Sequence, residues 1–334
     1  MSKITKEAEG ITLSYSMEAY EILYQEPTGE MAFEELRHKI KNWGVKSIWS
    51  GEVGKSEFAE AVVYPKLIRM EDIKKAKEAK ERAKSTPAQQ KLNDKNSELK
   101  FDRLLNTNFH PWDIIGGLPY RRDNQPIDDD MAERDVVKFM RRMSYLRKTK
   151  GMPELKYAYT TEKVIEGGNV YYHHHIIING DGITWEDVQE KWLYGDIYRK
   201  RFTKREKREG VLTATARYML EDKTNRLRPQ EKVGKRRWKA SLNLKKPVET
   251  VSDKRLSKKD VRIISKAATE EAADVFEKAY PNYELLFCEV RWSRFAPGPY
   301  IYARMRRREK SESKRIAGTI GKRGAAMPIS MGSL

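Results

Sequence analysis

Between Leu155 and Ile178 two strand-like runs flank Glu166-Gly167-Gly168-Asn169, and this pair constrains the fold more than any other stretch of the chain. Two adjacent glycines accept the positive φ values that a two-residue hairpin turn demands. The turn predicts an antiparallel hairpin of Leu155–Thr161 with Val170–Ile178. Its register puts Glu166 opposite Asn169, Glu162 opposite His173 and Thr160 opposite His175. The second run reads YYHHHIIING. Side chains alternate along a strand, so His173 and His175 share one face and His174 takes the other. Directly opposed residues point to the same side, with Cβ atoms about 5 Å apart. One turn assignment therefore gathers His173, His175 and Glu162 on one surface. Two imidazoles and a carboxylate suit Mn²⁺ or Zn²⁺ and tolerate Mg²⁺. The competing reading is a pair of packed histidines, but burying both without partners in so apolar a strand is costly.

The elements around the hairpin extend the argument. Trp112–Leu118 reads as a strand weakened by Gly116, Gly117 and Pro119. Asp128–Lys150 reads as an amphipathic helix, with Met131, Val136, Phe139, Met140, Met143 and Leu146 at helical spacing. Trp185–Trp192 follows as a short helix, Asp196–Phe202 as a strand and Glu209–Lys223 as a helix. The order from Trp112 to Phe202 is β-α-β-β-α-β. It predicts an α+β chain with a ferredoxin-like split βαβ antiparallel sheet and helices on one face. Ser85-Thr86-Pro87 offers the start of a helix through Leu92, Leu99, Phe101, Leu104 and Leu105. Phe33–Trp43 reads as a short amphipathic helix and Glu60–Tyr64 as a strand. Residues 71–84 suit a solvated helix or hinge. A helix near Lys258–Ala279 and strands at Tyr283–Arg291 and Pro299–Arg304 complete the chain. The expected organisation is a helical N-terminal extension (1–84), a central domain (85–304) and a basic, disordered tail (305–334).

The net charge is +18 over 334 residues, which favours a polyanionic partner because neutralised phosphates release condensed counterions. Cys288 is the one cysteine, so no intrachain disulfide forms. No run of 18 apolar residues suggests a membrane span, and the N-terminus lacks a signal-like apolar core. The expectation is a cytoplasmic protein that binds no membrane. There is no GxxxxGK[ST] phosphate loop.

A metal-polarised phosphate needs a nucleophile. In LTATARYMLEDK, Leu212, Ala216, Met219 and Lys223 lie along one side of the helix, and Ala214, Tyr218, Glu221 and Asp222 along a more polar one. Tyr218 can then face a cleft, although it is one of 17 tyrosines and packing at a helix edge is the plainer role. Lys235, Arg236, Arg237, Trp238 and Lys239 form a basic run that fits phosphate contacts plus a stacking platform, or a solvated loop.

The HHHIIING strand, the downstream helix with one tyrosine and RRWKASLNLKKP together resemble rolling-circle replication initiators of the HUH superfamily, in particular those of Gram-positive plasmids and phages. TPAQQKLNDKNSELKFDRLLNTNF resembles the segment that precedes their catalytic domain, and the similarity spans about residues 85–304. The resemblance implies an HUH endonuclease fold with Mn²⁺ or Mg²⁺ on His173, His175 and Glu162, and Tyr218 as nucleophile. It implies single-stranded or hairpin origin DNA as substrate, with host helicase and DNA polymerase as partners. A single nucleophile leaves termination to a second subunit, hence to a homodimer, or to water. Relaxases and single-strand transposases share such a site, and a non-catalytic basic DNA- or RNA-binding protein is the alternative outside enzymes. Two positions depart from the family pattern. DIIGGLPY stands where a Thr-rich strand is usual. Glu221 stands three residues after Tyr218, where lysine is usual. Lys223 is then the nearest lysine in sequence, and Glu221 or Asp222 becomes a candidate for metal binding or proton transfer.

Overall fold

The computed structural model describes residues 4–8, 11–16, 40–67, 87–201, 212–220, 226–227, 237–266, 269–291 and 298–308. In chain order the first elements are β1 (Ile4–Ala8), β2 (Ile11–Ser16), β3 (Ile40–Trp49), β4 (Phe58–Leu67), α1 (Pro87–Asn108), β5 (Ile114–Pro119) and α2 (Asp129–Thr149). Next come β6 (Tyr157–Glu166), β7 (Asn169–Ile178), α3 (Trp185–Lys191), β8 (Tyr198–Arg199), α4 (Thr213–Leu220), β9 (Arg226–Leu227) and β10 (Lys239–Ala240). The last are β11 (Val248–Ser252), α5 (Lys258–Ser265), α6 (Thr269–Ala279), β12 (Tyr283–Arg291) and β13 (Tyr300–Arg307). The fold is α+β. Among the described residues no helix is long and apolar enough to cross a membrane.

The chain divides into two compact units, Met1–Gln89 with Val248–Leu334, and Gln90–Pro247. This differs from a single domain over 85–304, because β11, β12 and β13 join the sheet of β3 and β4. That sheet runs β1-β2-β12-β13-β4-β3-β11 and is antiparallel except for the parallel pair β2–β12. One face carries Trp43, Val45, Ala61, Val63, Val290, Ile301 and Ala303, packed against Val261 and Ile264 of α5 and Phe276 of α6. Four corrections follow. Where a helical N-terminal extension was expected, the described parts, 4–8, 11–16 and 40–67, hold strands β1 to β4 and no helix. Residues 40–43 of the predicted helix Phe33–Trp43 belong to β3, where Trp43 enters the sheet core; 33–39 lie outside the described residues, as do 71–84. The helix expected near Lys258–Ala279 is two helices. Met305 sits in β13 at 1% exposure rather than in a tail; 309–334 lie outside the described residues.

The second unit holds a sheet ordered β10-β6-β7-β5-β8, with β9 also pairing β6. β7 is antiparallel to both β6 and β5, and β8 is antiparallel to β5. The β-α-β-β-α-β order is therefore realised with β5 and β6 parallel on either side of β7. Asp128 caps α2 by accepting from the Met131 amide, and Asp129 and Asp130 face the positive end of its dipole. The apolar side of α2 (Val136, Phe139, Met143) and Val188 of α3 cover Leu118, Ile176 and Ile178 on one face. Helices were expected on that face alone. Instead Phe101 and Leu105 of α1 and Ala216 and Met219 of α4 cover Ile115, Ala158 and Ile177 on the other. Within the strand expected at Asp196–Phe202, ladder pairing covers Tyr198–Arg199 among the described residues, and the Lys200 amide donates to the Ile115 carbonyl. Trp112 stands before β5, 77% exposed and stacked on His110.

Candidate metal centre

The hairpin turn places Gly167 at φ +58 and Gly168 at φ +80, both in the region glycine tolerates best. The ladder then runs in the expected register, with Glu162 opposite His173 and Thr160 opposite His175. Parity does the rest. His174 points into the α2–α3 core with no exposure, its Nε2 2.9 Å from the Tyr120 hydroxyl and its Nδ1 2.9 Å from Thr161 Oγ1. Desolvation, reinforced by His173 and His175, lowers its pKa from 6.5 to about 3, so the ring is neutral.

His173 and His175 emerge on the opposite face, two and four residues before Ile177. Glu162 Oε2 lies 2.7 Å from His173 Nε2 and 2.9 Å from His175 Nε2, and the two Nε2 atoms are 3.2 Å apart. Burial opposes ionisation of Glu162, but hydrogen bonds from the two imidazoles outweigh it and hold its pKa at about 2, below the usual 4.5. These three residues form the one such cluster among the described residues. The spacing fits a shared cation. Ligands about 2.1 Å from one ion and at right angles to each other lie about 3 Å apart. Two imidazoles and a carboxylate are donors that would suit Mn²⁺ or Zn²⁺. His175 is nearly buried, at 3% side-chain exposure, whereas His173 keeps 18%, so the cluster opens on the His173 side.

Tyr218 reaches this cluster because α4 is docked at several points. Asn106 of α1 accepts from the Leu212 amide, Asp102 accepts from Thr213 Oγ1, and Thr160 donates to the Met219 carbonyl. Thr160 is the residue opposite His175, so the hairpin itself seats the tyrosine helix. The Tyr218 ring stands 4.7 Å from the His175 ring at 69°, half-buried, while Ala216, Met219 and Leu220 pack inward. Glu221, Asp222 and Lys223 lie outside the described residues.

Two neighbours were not anticipated. Tyr198 of β8 places its hydroxyl 3.1 Å from that of Tyr218, and Lys200 holds Nζ 5.8 Å from the centre of the Tyr218 ring. The available signal was the glycine pair in DIIGGLPY, since glycine inside a strand marks close approach.

Three residues of the basic run are described, and each has a partner within the protein. Lys235 and Arg236 lie outside the described residues. Arg237 donates to the Leu220 carbonyl at the end of α4. Trp238 stacks on Phe101 at 5.1 Å and donates to Ser97 Oγ, so its ring fills a protein surface rather than forming an open platform for bases. Lys239 pairs with Glu133 at 2.6 Å. Comparison of the chain with protein-family models, curated proteins and solved structures finds no match.

Proposed function

We propose that the chain is a metal-dependent nicking enzyme for single-stranded DNA, an initiator of rolling-circle replication with the ferredoxin-like split βαβ sheet of an HUH endonuclease. One observation carries the reading: a half-buried phenol, Tyr218, packs directly against His175 of a two-imidazole, one-carboxylate cluster on a central strand. His173, His175 and Glu162 would hold Mn²⁺ or Mg²⁺, which supplies Lewis-acid polarisation of a phosphoryl oxygen. The Tyr218 oxygen, having given its proton to solvent, attacks phosphorus. The bond from phosphorus to the 3′ oxygen breaks, that oxygen takes up a proton, and a 5′-phosphotyrosyl ester remains on the protein. An incoming 3′-hydroxyl reverses the same step and rejoins strands. The substrate is single-stranded or hairpin origin DNA, and the net charge of +18 favours such a polyanion. A host helicase and polymerase would supply unwinding and extension.

The test is incubation of the full chain with Mn²⁺ and a 3′-labelled pool of randomised single-stranded DNA. A covalent adduct that survives denaturation is expected, and its loss in Tyr218→Phe and in chelator. An undiminished adduct in Tyr218→Phe removes Tyr218 from the role. No adduct from the parent chain defeats the nicking reading.

A further inference from the structure

Tyr198 has no part in the reaction as written above, yet it occupies the space between its two halves. Its hydroxyl stands 3.4 Å from His175 Nδ1 and 3.1 Å from the Tyr218 hydroxyl. The approach depends on one residue of β5. Gly117 is the ladder partner of His175 on one side and of Tyr198 on the other. A Cβ at Gly117 would meet Cζ of the Tyr198 ring at 2.1 Å and its hydroxyl at 2.3 Å. The missing side chain is the slot in which the Tyr198 ring lies. Any larger residue there drives the hydroxyl away from the cluster.

We propose that Tyr198 is a positioning residue for the strand transfer, a single hydroxyl that links the metal-facing imidazole to the nucleophilic phenol. The inference rests on the nicking reading of Tyr218. Its direction follows from imidazole chemistry. A cation taken by Nε2 of His175 leaves the ring proton on Nδ1. Nδ1–H then donates to the Tyr198 oxygen, and the Tyr198 hydrogen is directed to the Tyr218 oxygen. That bond holds the nucleophilic oxygen beside the cluster before attack and receives it again when the ester is cleaved. Near-attack geometry of this kind is where small displacements cost most rate. Lys200, two residues further along, brings its ammonium to the same ring. The segment after β8 therefore serves Tyr218 from the side opposite the histidines' own strand. If Tyr198 served only to fill the slot over Gly117, its ring would suffice and its hydroxyl would be dispensable.

Tyr198→Phe separates the two roles, because it keeps the ring and removes the hydroxyl. Gly117→Ala is the converse variant, since it displaces the ring with the hydroxyl intact. Both are measured as full chains with the same DNA pool and Mn²⁺. The readouts are the single-turnover rate of adduct formation at saturating DNA, DNA affinity by anisotropy in chelator, and Mn²⁺ affinity by electron paramagnetic resonance. In Tyr198→Phe the adduct rate is expected to fall ~10- to 100-fold and Mn²⁺ binding to weaken. DNA affinity should change by less than about twofold, a loss confined to the step after binding. Gly117→Ala should lower the rate in the same direction. A Tyr198→Phe rate within about twofold of the parent overturns the inference and leaves the nicking reading standing. Parallel losses of rate and DNA affinity make Tyr198 a DNA contact and also overturn it. If the parent forms no adduct, the nicking reading falls and this inference falls with it.

Discussion

The two faces of β7 carry the same residue type to opposite ends. His174 is fully buried, bonded at both ring nitrogens and held neutral, so it belongs to the core of α2 and α3. His173 and His175, one step away on either side, converge on Glu162 and stand beside Tyr218. Composition cannot separate the three, and strand parity does. The lesson is that one face was assembled for rigidity, with both ring nitrogens of His174 satisfied internally. The other concentrates polar atoms that a cation and a phosphate can satisfy.

His175→Ala should break the comparison most sharply. Adduct formation is expected to fall on the order of a thousandfold or more, since a group acting within a unit is lost. In the parent, Mn²⁺ at a hundred times its dissociation constant should add about 2.7 kcal/mol of stability. The variant should lose that increment in calorimetry, and its retention would place the cation elsewhere. His174→Ala should do the reverse. It leaves a cavity and strips a bond from Tyr120 and Thr161, for a cost of about 3 kcal/mol in urea denaturation. Stabilisation by Mn²⁺ should survive. A variant of full stability that no longer responds to Mn²⁺ would exchange the roles of the two faces.

Acid should act on both faces in the same direction, but in different windows. The folded pKa of His174 is about 3 against an ordinary 6.5, so between these values the unfolded chain binds the extra proton. Stability from this group is complete above pH 6.5 and is lost as pH falls toward 3. Glu162, at about 2 against 4.5, adds its loss only below pH 4.5. In chelator, stability should therefore decline by about 1.4 kcal/mol per pH unit between pH 6 and 4.5 and more steeply below. His174→Gln should flatten the upper window and leave the lower one. An unchanged upper slope would mean that another group titrates there.

How much of this was legible depended on the range of the pairing. The hairpin, its register and the convergence of His173, His175 and Glu162 were readable because two residues, Gly167 and Gly168, set the whole ladder. Helical spacing put Tyr218 on the more polar side of its helix, but its place beside the histidines was expected only from the resemblance, and the Thr160 bond that seats the helix was not readable. The sheet of β3, β4, β12 and β13 was not. Its strands pair across the intervening unit, and FEELRHKIKNW has helical spacing that pairing with β4 overrides at Ile40–Trp43. Trp238 looked available because its partner, Phe101, is far away in sequence. Tyr198 was missed because its place depends on the side chain that Gly117 lacks.

The smallest effect concerns the turn on which the metal face rests. Gly168 stands at φ +80 with nothing within 4 Å of where a Cβ would go. Gly168→Ala therefore adds no clash and only the strain of a left-handed backbone, about 1 kcal/mol. The ladder should keep its register without the ideal turn, because a slip by one residue would turn Ile176 and Ile178 out of the core and His173 and His175 into it. Adduct rate at saturating Mn²⁺ should accordingly match the parent while urea denaturation records the small loss. If the rate collapses with the stability barely changed, the turn and not the core is what keeps the two faces apart.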